Sequence, residues 1–220
     1  GRLQALLDAG FKYMFVSNSD NLGATMDLKL LKHFAETGSS MMMECCERSE
    51  ADKKGGHLAK SKDGGLLLRE SAQCLPDDEA QFQDVTKHKF FNTNNLWLNL
   101  EKLKETMDKS GGFLRLPLIR NKKTVNPRDG ASTKVYQLET AMGAAIASLE
   151  GSTAVVVPRT RFAPVKTCND LLGLRSDAFE ITNDFTMRLA DGRTKPPVIK
   201  LDSAHYKLVD GVEEYLLKNG

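Results

Sequence analysis

The sequence lacks any long hydrophobic run and any extended basic stretch. No apolar window approaches the roughly 18 to 20 residues that a helix needs to cross a bilayer, and no signal peptide stands at the start. Basic residues alternate with acidic ones, and the formal net charge is only +2, which gives no reason to expect nucleic acid as a partner. These absences predict a soluble, cytoplasmic protein that binds neither membrane nor nucleic acid.

Cysteine and histidine are scarce and scattered. The four cysteines contain no C-x-x-C spacing, and their one vicinal pair, Cys45-Cys46, would form a strained bridge. The four histidines show no ligand spacing with them, and no G-x-x-x-x-G-K-[ST] phosphate loop occurs. We therefore expect reduced thiols, no zinc site and no P-loop.

The chain has 220 residues, of which 40% are hydrophobic and 27% are charged. This composition is typical of a globular protein with an ordinary hydrophobic core. An unbroken apolar run, Tyr13–Val16, leads into a polar turn and predicts a buried parallel strand. Because ligands of open α/β sheets bind beyond the carboxyl ends of such strands, Asn18, Ser19 and Asp20 are candidate ligand-binding residues. The alternative is a turn that merely caps the next helix.

Helix and strand patterns alternate along the rest of the chain. Glu70 falls at the end of a predicted strand, and Thr167 with Asp170 resembles a helix capping box. The patterns predict strands at 41–46, 66–70 and 153–157, and helices at 2–9, 26–35, 138–147 and 210–217.

Two polar stretches carry groups that suit a ligand. Gly55-Gly56 stands in a charged loop, where backbone can approach a ligand closely. The segment 90–97 combines strand-forming aromatic residues with three asparagines, which have little structural reason to be there. Their amides would suit sugar hydroxyls or a base edge, and a turn-rich loop is the alternative.

Three cations follow the predicted strand at 153–157. Arg159, Arg161 and Lys166 precede the start of a predicted helix. Cations beside a helix N-terminus can bind phosphate, so the sequence predicts either a phosphate trap or a solvated basic loop.

Taken together, five segments closely resemble eukaryotic UTP-glucose-1-phosphate uridylyltransferases. Each is weak alone, but five in the same order are highly specific, and the resemblance covers nearly the whole chain. The segments are Asn18–Ala24, Lys54–Leu58, Phe91–Trp97, Gln137–Ile146 and Val157–Thr167.

The resemblance implies an α/β, Rossmann-like nucleotide-diphospho-sugar transferase fold, with a mixed, mainly parallel sheet flanked by helices. Residues 1–220 match the central and C-terminal part of the catalytic domain, so the fold is expected to be incomplete at its N-terminal side. The family's glycine-rich loop would lie upstream of this sequence. Its β-helix domain, through which oligomers could form, would lie downstream.

The resemblance also implies roles for individual residues. Asp20 matches a ligand of the magnesium ion that accompanies the nucleotide, and Asn18 and Ser19 beside it match substrate contacts. Lys166 matches the catalytic lysine, which also contacts substrate. The positions that hold the glucosyl group match Gly55, Glu70 and Asn94.

The activity implied by the resemblance is the reversible, Mg²⁺-dependent reaction of UTP with glucose 1-phosphate to give UDP-glucose and pyrophosphate. Two alternatives stay open at this point. One is a related uridylyltransferase for an N-acetylhexosamine 1-phosphate, which a comparison of turnover on the two sugar phosphates would distinguish. The other is a binding or assembly module without activity.

We expect residues 1–220 alone to turn over no UTP. Without the backbone amides of the family's glycine-rich loop, the UTP phosphates lose part of their cradle. A radiolabel assay of uridylyl transfer by the isolated chain checks this expectation. Transfer above the protein-free rate would contradict it, and calorimetry with UDP-glucose would show whether the chain still binds the product.

Overall fold

The computed structural model describes residues 1–214 and 218, and the chain forms two compact units. The first unit comprises Gly1–Val16 and Asp27–Val157, and the second comprises Ser17–Met26 with the chain from Pro158 onward. No helix in the described part of the chain is long and apolar enough to cross a membrane.

The helices largely follow the predicted boundaries. The helix Leu28–Thr37 (α2) is capped at its start by Asp27, whose side chain accepts from the backbone N–H of Lys29 at 2.8 Å, and at its end by Gly38 with φ 62°. The predicted helix at 210–217 is observed over Val209–Val212, and residues 215–217 lie outside the described residues. The helices are α1 (Arg2–Asp8), α2 (Leu28–Thr37), α3 (Glu79–Phe82), α4 (Leu100–Lys109), α5 (Cys168–Arg175), α6 (Ser203–Tyr206) and α7 (Val209–Val212).

Within the described residues, the strands form one four-stranded sheet and three two-stranded hairpins. The sheet has the order β1-β5-β2-β8, and the hairpins are β3-β4, β6-β7 and β9-β10. The strands are β1 (Tyr13–Val16), β2 (Met41–Glu47), β3 (His57–Lys60), β4 (Leu66–Arg69), β5 (Phe90–Asn99), β6 (Leu118–Thr124), β7 (Lys134–Thr140), β8 (Thr153–Val156), β9 (Phe179–Ile181) and β10 (Met187–Leu189).

Three strands of the sheet run in one direction, and β5 runs in the other. β5 pairs antiparallel with both β1 and β2, while β2 pairs parallel with β8. The mixed α/β sheet is therefore confirmed. The carboxyl ends of β1, β2 and β8 share one edge of the sheet.

β2 lies at the centre of the first unit's core. Its residues Met41–Cys46 are all buried, as expected for a strand covered on both faces. Met41 and Met43 pack with Leu96 and the segment around Ile146, whereas Met42 packs on the other face with Phe34 and Trp97. The methionines fill the core, as predicted.

Glu44 is a fully buried acidic residue within β2, with 0% of its surface exposed. Its carboxylate accepts from Trp97 Nε1 at 2.9 Å and from Asn95 Nδ2 at 3.1 Å. The backbone carbonyl of Glu44 accepts from Thr93 Oγ1 at 2.8 Å. Two side chains of β5 thus donate to the carboxylate, as a buried carboxylate requires, and a third donates to the backbone of the same residue.

These contacts coincide with an irregularity in β5. Met43 pairs with Leu96 and Cys45 pairs with Asn92, so three residues of β5 lie opposite Glu44 alone. The excess residues bulge, and the middle one, Asn94, has φ 61°. Asparagine tolerates this left-handed conformation better than most residues.

Two predictions of secondary structure were wrong. β1 pairs antiparallel with β5, since an unbroken apolar run does not by itself reveal strand direction. The predicted helix at 138–147 is instead the end of β7 followed by a 3-10 segment, Met142–Ala147. Leu138 belongs to the hairpin pair with Arg120 and is 61% exposed, so its hydrophobicity did not mark a helix stripe.

Replacing Trp97 by Phe should lower the free energy of unfolding by about 2 to 3 kcal/mol, because it removes the Nε1 donor to a buried carboxylate and removes core volume. Urea denaturation followed by circular dichroism measures the change. The matched control is Tyr13→Phe, which removes an aromatic polar group that lies half-buried rather than in the core and should change stability by less than about 0.5 kcal/mol. Equal effects of the two substitutions would refute the proposed importance of the Glu44 contacts.

Candidate functional site

Two candidate residues from distant parts of the sequence meet in the second unit. The backbone N–H of Val165 donates to the carbonyl oxygen of Asp20 at 2.9 Å. Asn21 and Pro164 form an antiparallel bridge beside this hydrogen bond. Lys166 therefore lies one residue beyond the partner of Asp20, and the structure brings these two segments together.

The charged groups of Asp20 and Lys166 remain accessible. Asp20 is half-buried and Lys166 is exposed. Within the described residues, neither the Asp20 carboxylate nor the Lys166 ammonium has a hydrogen-bond or ion-pair partner. The pair can therefore offer one anionic and one cationic group to a ligand.

Asn18 and Ser19 lie in the turn before Asp20. The backbone N–H of Asn21 donates to the carbonyl of Asn18 at 3.1 Å, which closes the turn, and Ser19 is exposed. The turn does not cap the next helix, because Asp27 does so. The capping alternative was therefore wrong, although the predicted turn is present.

Of the three cations predicted to bind phosphate, two interact with protein groups. Arg161 donates to the carbonyl of Thr25 at 2.9 Å, and Arg159 lies over the ring of Phe162 at 5.7 Å. Both arginines thus interact with protein groups. Lys166 is left as the cation of the three that lacks a described partner.

The amides at the start of α5 are also occupied. The Asp170 carboxylate accepts from the backbone N–H groups of Lys166 at 3.0 Å and Thr167 at 2.8 Å. Thr167 Oγ1 in turn accepts from the N–H of Asp170, so the predicted capping box is confirmed. A capped helix start offers fewer free donors to a phosphate, which leaves the Lys166 side chain as the better anion ligand.

In the first unit, Arg48 fixes the loop that leads to Gly55. Its guanidinium, in a residue only 8% exposed, donates to the carbonyls of Lys53 at 2.7 Å and His88 at 3.1 Å. Gly55 closes the loop by donating its N–H to the carbonyl of Asp52 at 2.9 Å. The conformation before the paired glycines is thus determined by buried contacts.

His57, directly after the paired glycines, is structural. It is 0% exposed and stacks on His88 with ring centroids 3.9 Å apart. Burial is the main cause that lowers the pKa of His57 to about 3, with neighbouring cationic groups adding to it. A neutral, enclosed imidazole is suited to packing against Phe82 rather than to binding substrate.

The paired glycines leave room for Glu70. A Cβ atom on Gly56 would lie 2.6 Å from Glu70 Oε2 and 2.9 Å from the carbonyl oxygen of Arg69, so only glycine fits there. Glu70 follows β4, at the strand end where the sequence predicted it. The structure therefore brings Glu70 against the glycine pair that includes Gly55.

The carboxylate of Glu70 is half-buried and has no hydrogen-bond or ion-pair partner within residues 1–214 and 218. Burial raises the pKa of this group above its ordinary value. A desolvated carboxylate without a protein partner is costly, and a ligand that donates hydroxyl groups would compensate for it.

Asn94 is held in its bulge by Asn92. The N–H of Asn94 donates to Asn92 Oδ1 at 2.8 Å. A Cβ atom on Gly143 would lie 2.5 Å from Asn92 Nδ2 and 2.8 Å from Leu68 Cδ2, so glycine at 143 is needed for this arrangement. β4, β5 and the 3-10 segment 142–147 thus converge beside Asn94.

Some structural roles were missed in the sequence. Asn95 was expected to have little structural role, but its side chain donates a hydrogen bond to the buried Glu44 carboxylate. Asn92 supports Asn94, and Gly143 leaves space for Asn92. The cluster of three asparagines marked the region, but only the register of β5 against β2 separates their roles.

A metal ion at Asp20 would need most of its ligands from elsewhere. No group of three or more His, Cys, Asp or Glu side chains that could hold a metal occurs among the described residues. One half-buried carboxylate suits Mg²⁺, which usually binds through one or two carboxylates, substrate phosphates and water. The residues present therefore fit such an ion.

Solved structures define the class of fold. The chain aligns with a mutant UDP-glucose pyrophosphorylase from Leishmania major in complex with UDP-glucose, with a TM-score of 0.85 and 55% identity over 99% of this chain and 48% of that one. A UDP-glucose phosphorylase from Trypanosoma brucei gives a TM-score of 0.85 and 58% identity over 97% of this chain and 46% of that one. The mixed sheet flanked by helices is the fold of these nucleotide-sugar transferases.

A family model described as UTP-glucose-1-phosphate uridylyltransferase matches residues 1–218, and the chain belongs to this family. The relative of that name from Saccharomyces cerevisiae is 47% identical over 212 residues, which cover 96% of this chain and 41% of the relative. The relative from Hordeum vulgare is 42% identical over 96% of this chain and 43% of its own length. The chain thus spans less than half the length of these relatives.

Replacing Glu70 by Gln should stabilise the free protein slightly at pH 7, by less than about 1 kcal/mol, because the group is half-exposed and its charge is only partly desolvated. Its pKa is higher in the folded protein than in the unfolded one. The cost of the charge therefore develops as the pH rises through these two pKa values, and the gain from Gln should disappear at pH values below both.

Denaturation curves at pH 3 and pH 7 measure this dependence. Glu105→Gln, at an exposed position, is the control and should leave stability within about 0.5 kcal/mol at both values. A Glu70→Gln protein less stable than wild type at pH 7 would mean that the Glu70 carboxylate is stabilising, against this account.

Proposed function

We propose that this chain supplies part of the site at which UTP and glucose 1-phosphate react to form UDP-glucose and pyrophosphate. The observation that carries the proposal is 55% identity over 99% of the chain to a protein solved in complex with UDP-glucose. Unpartnered, accessible groups at Asp20, Glu70 and Lys166 support it, because each is of the type that the reaction needs.

In this reaction an oxygen of the phosphate of glucose 1-phosphate attacks the α-phosphorus of UTP. The new P–O bond forms as the bond to the β-phosphate breaks, and pyrophosphate leaves with the electron pair. Two polyanions must be brought together, so positioning and neutralisation of charge account for most of the catalysis. No covalent intermediate on the protein is required.

Lys166 is proposed as the catalytic residue. Its exposed ammonium, which has no described protein partner, can contact oxygens of both reacting phosphates and stabilise the negative charge that spreads over them. Its backbone is fixed by Asp170, through the 3.0 Å hydrogen bond to its N–H. With the backbone fixed, the ammonium needs only side-chain rotation to reach the phosphates, and cations that stabilise charge in the transition state contribute strongly to rate.

Asp20 is proposed to hold Mg²⁺ together with phosphate oxygens, with Asn18 and Ser19 contacting the nucleotide beside it. The free carboxylate of Asp20 supports this role. The ion would supply Lewis-acid neutralisation of the phosphate charge. The fixed hydrogen bond from Val165 to Asp20 would keep this carboxylate on the segment opposite Lys166.

Glu70, Asn94 and Gly55 are proposed to recognise the glucosyl group. The unpartnered carboxylate of Glu70 would accept hydroxyl donors, and the amide of Asn94 can both donate and accept. The neighbouring glycines allow a ligand to approach the backbone. A sugar that leaves these groups unpaired would be disfavoured by roughly 1 to 3 kcal/mol for each lost partner.

Other features belong to the same proposal. Residues 1–220 form the central and C-terminal part of a catalytic domain, which their 41% coverage of a relative supports. We also propose that the protein works in the cytoplasm, which the free cysteines support, since thiols stay reduced there. Assembly through a region beyond this sequence stays a prediction.

Lys166→Ala is expected to lower kcat by about 100-fold or more, because one preorganised cation is lost from the reacting phosphates. The assay uses an active protein that carries residues 1–220 and follows pyrophosphate release. The control is Lys195→Ala, an exposed lysine of the same unit, which should keep kcat within about twofold. A Lys166→Ala protein within about threefold of the wild-type rate would disprove the assigned role.

A further inference from the structure

We propose that Asn21 is a positioning residue that sets the register between the Asp20 and Lys166 segments. The proposal rests on the proposed function, in which these two residues act on the same phosphates. Asn21 itself need touch neither substrate nor metal. Its side chain joins two stretches of the second unit that are about 140 residues apart in sequence.

Backbone hydrogen bonds on either side of the Asn21–Pro164 pair bring the two stretches together. The N–H of Leu22 donates to the carbonyl of Ala163 at 3.1 Å, and the N–H of Val165 donates to the carbonyl of Asp20 at 2.9 Å. Asn21 and Pro164 lie opposite each other between these bonds as a non-hydrogen-bonded pair, so their backbone nitrogens take no part in the pairing. Further support of the register at this pair comes from a side chain.

The Asn21 side chain supplies that support on both strands. Its Nδ2 donates to the carbonyl of Arg161 at 3.1 Å, and its Oδ1 accepts from the N–H of Ala163 at 2.8 Å and from the N–H of Gly23 at 3.2 Å. Asn21 is only 5% exposed. Hydrogen bonds shielded from water in this way resist slipping of one segment along the other.

The combination of bonds requires an amide at position 21. A carboxylate of the same shape would keep both acceptor contacts but would set a negative oxygen against the Arg161 carbonyl. A hydroxyl side chain is too short to reach both segments in the same way. Asparagine is the residue of this size that donates to the Arg161 carbonyl and also accepts from both segments, from the N–H groups of Ala163 and Gly23.

Close packing at Gly23 reinforces the arrangement. A Cβ atom on Gly23 would clash with the carbonyl oxygen of Thr160 and would lie 2.6 Å from the carbonyl carbon of Arg161. The Arg161 guanidinium then reaches back to the carbonyl of Thr25 at 2.9 Å. The two segments are therefore in contact over several residues beyond Asp20, and Asn21 lies at the end nearest to it.

The kinetic test compares Asn21→Ala with wild type in an active protein that carries residues 1–220. We expect kcat to fall about 10- to 100-fold and the Mg²⁺ concentration at half-maximal rate to rise about fivefold, because small displacements of reacting groups are costly. The KM for glucose 1-phosphate, assigned to groups of the first unit, should change by less than about twofold. Loss of activity only in proportion to loss of folded protein would overturn the proposal.

The matched control is Asn169→Ala. Asn169 also accepts a long-range backbone hydrogen bond in the second unit, from Leu201 at 2.8 Å. The Asn169→Ala substitution should lower stability about as much as Asn21→Ala does, but it should leave the Mg²⁺ dependence of the rate unchanged. If both variants shift the Mg²⁺ requirement equally, the effect belongs to the unit in general and not to Asn21.

Hydrogen exchange in the 220-residue chain tests the register without any assay of activity. Asn21→Ala should speed exchange of the Ala163 and Val165 amides by about tenfold or more, since both lose support against local opening. Exchange within about threefold of wild type would overturn the proposal. An inactive wild-type protein would refute the proposed function, and exchange would still decide the role of Asn21.

Discussion

The buried carboxylate of Glu44 is the constraint on which the first unit depends. With 0% exposure, it must receive hydrogen bonds from the protein, and Trp97 and Asn95 provide them. Both donors come from β5, which can supply them only by placing three residues opposite one residue of β2. Two of these three residues are surplus to the pairing, and the middle one, Asn94, has φ 61° in the bulge. The proposed sugar-binding amide thus owes its position to an acidic side chain inside the sheet.

The polar residues of this chain fall into two groups according to their partners. Arg48, Arg161 and Asn95 each donate hydrogen bonds to other parts of the protein. Each of them fixes a segment that carries a candidate residue. Asp20, Glu70 and Lys166 are at least partly accessible, and their charged groups have no partner within the described part of the chain. Charged groups left without partners in the folded protein add little to its stability, and such groups concentrate where proteins bind ligands. This difference in partners is the physical reason for assigning support to the first group and chemistry to the second.

Patterns that depend on neighbours in sequence predicted the structure well. The buried strand β2, the strand β8, and the capping box of Thr167 and Asp170 were all confirmed, since apolar runs and caps act locally. The pairing direction of β1, the hairpin end at Leu138 and the roles of Asn95 and Arg161 were not predicted correctly. Each of these depends on a partner distant in sequence, and one sequence does not reveal that partner. The proposed roles of Asp20, Glu70, Asn94 and Lys166 came from family resemblance and stay predictions.

The central claim is a division of labour, in which Glu70 of the first unit recognises the sugar and Lys166 of the second unit acts on the phosphates. Calorimetric titration of an active protein that carries residues 1–220 tests it most directly, with UDP-glucose and UTP as separate ligands in Mg²⁺ buffer. Glu70→Ala is predicted to weaken UDP-glucose binding by about tenfold, the cost of a lost hydroxyl partner, and to leave UTP binding within about twofold. Equal weakening of both ligands, or of neither, would contradict the account.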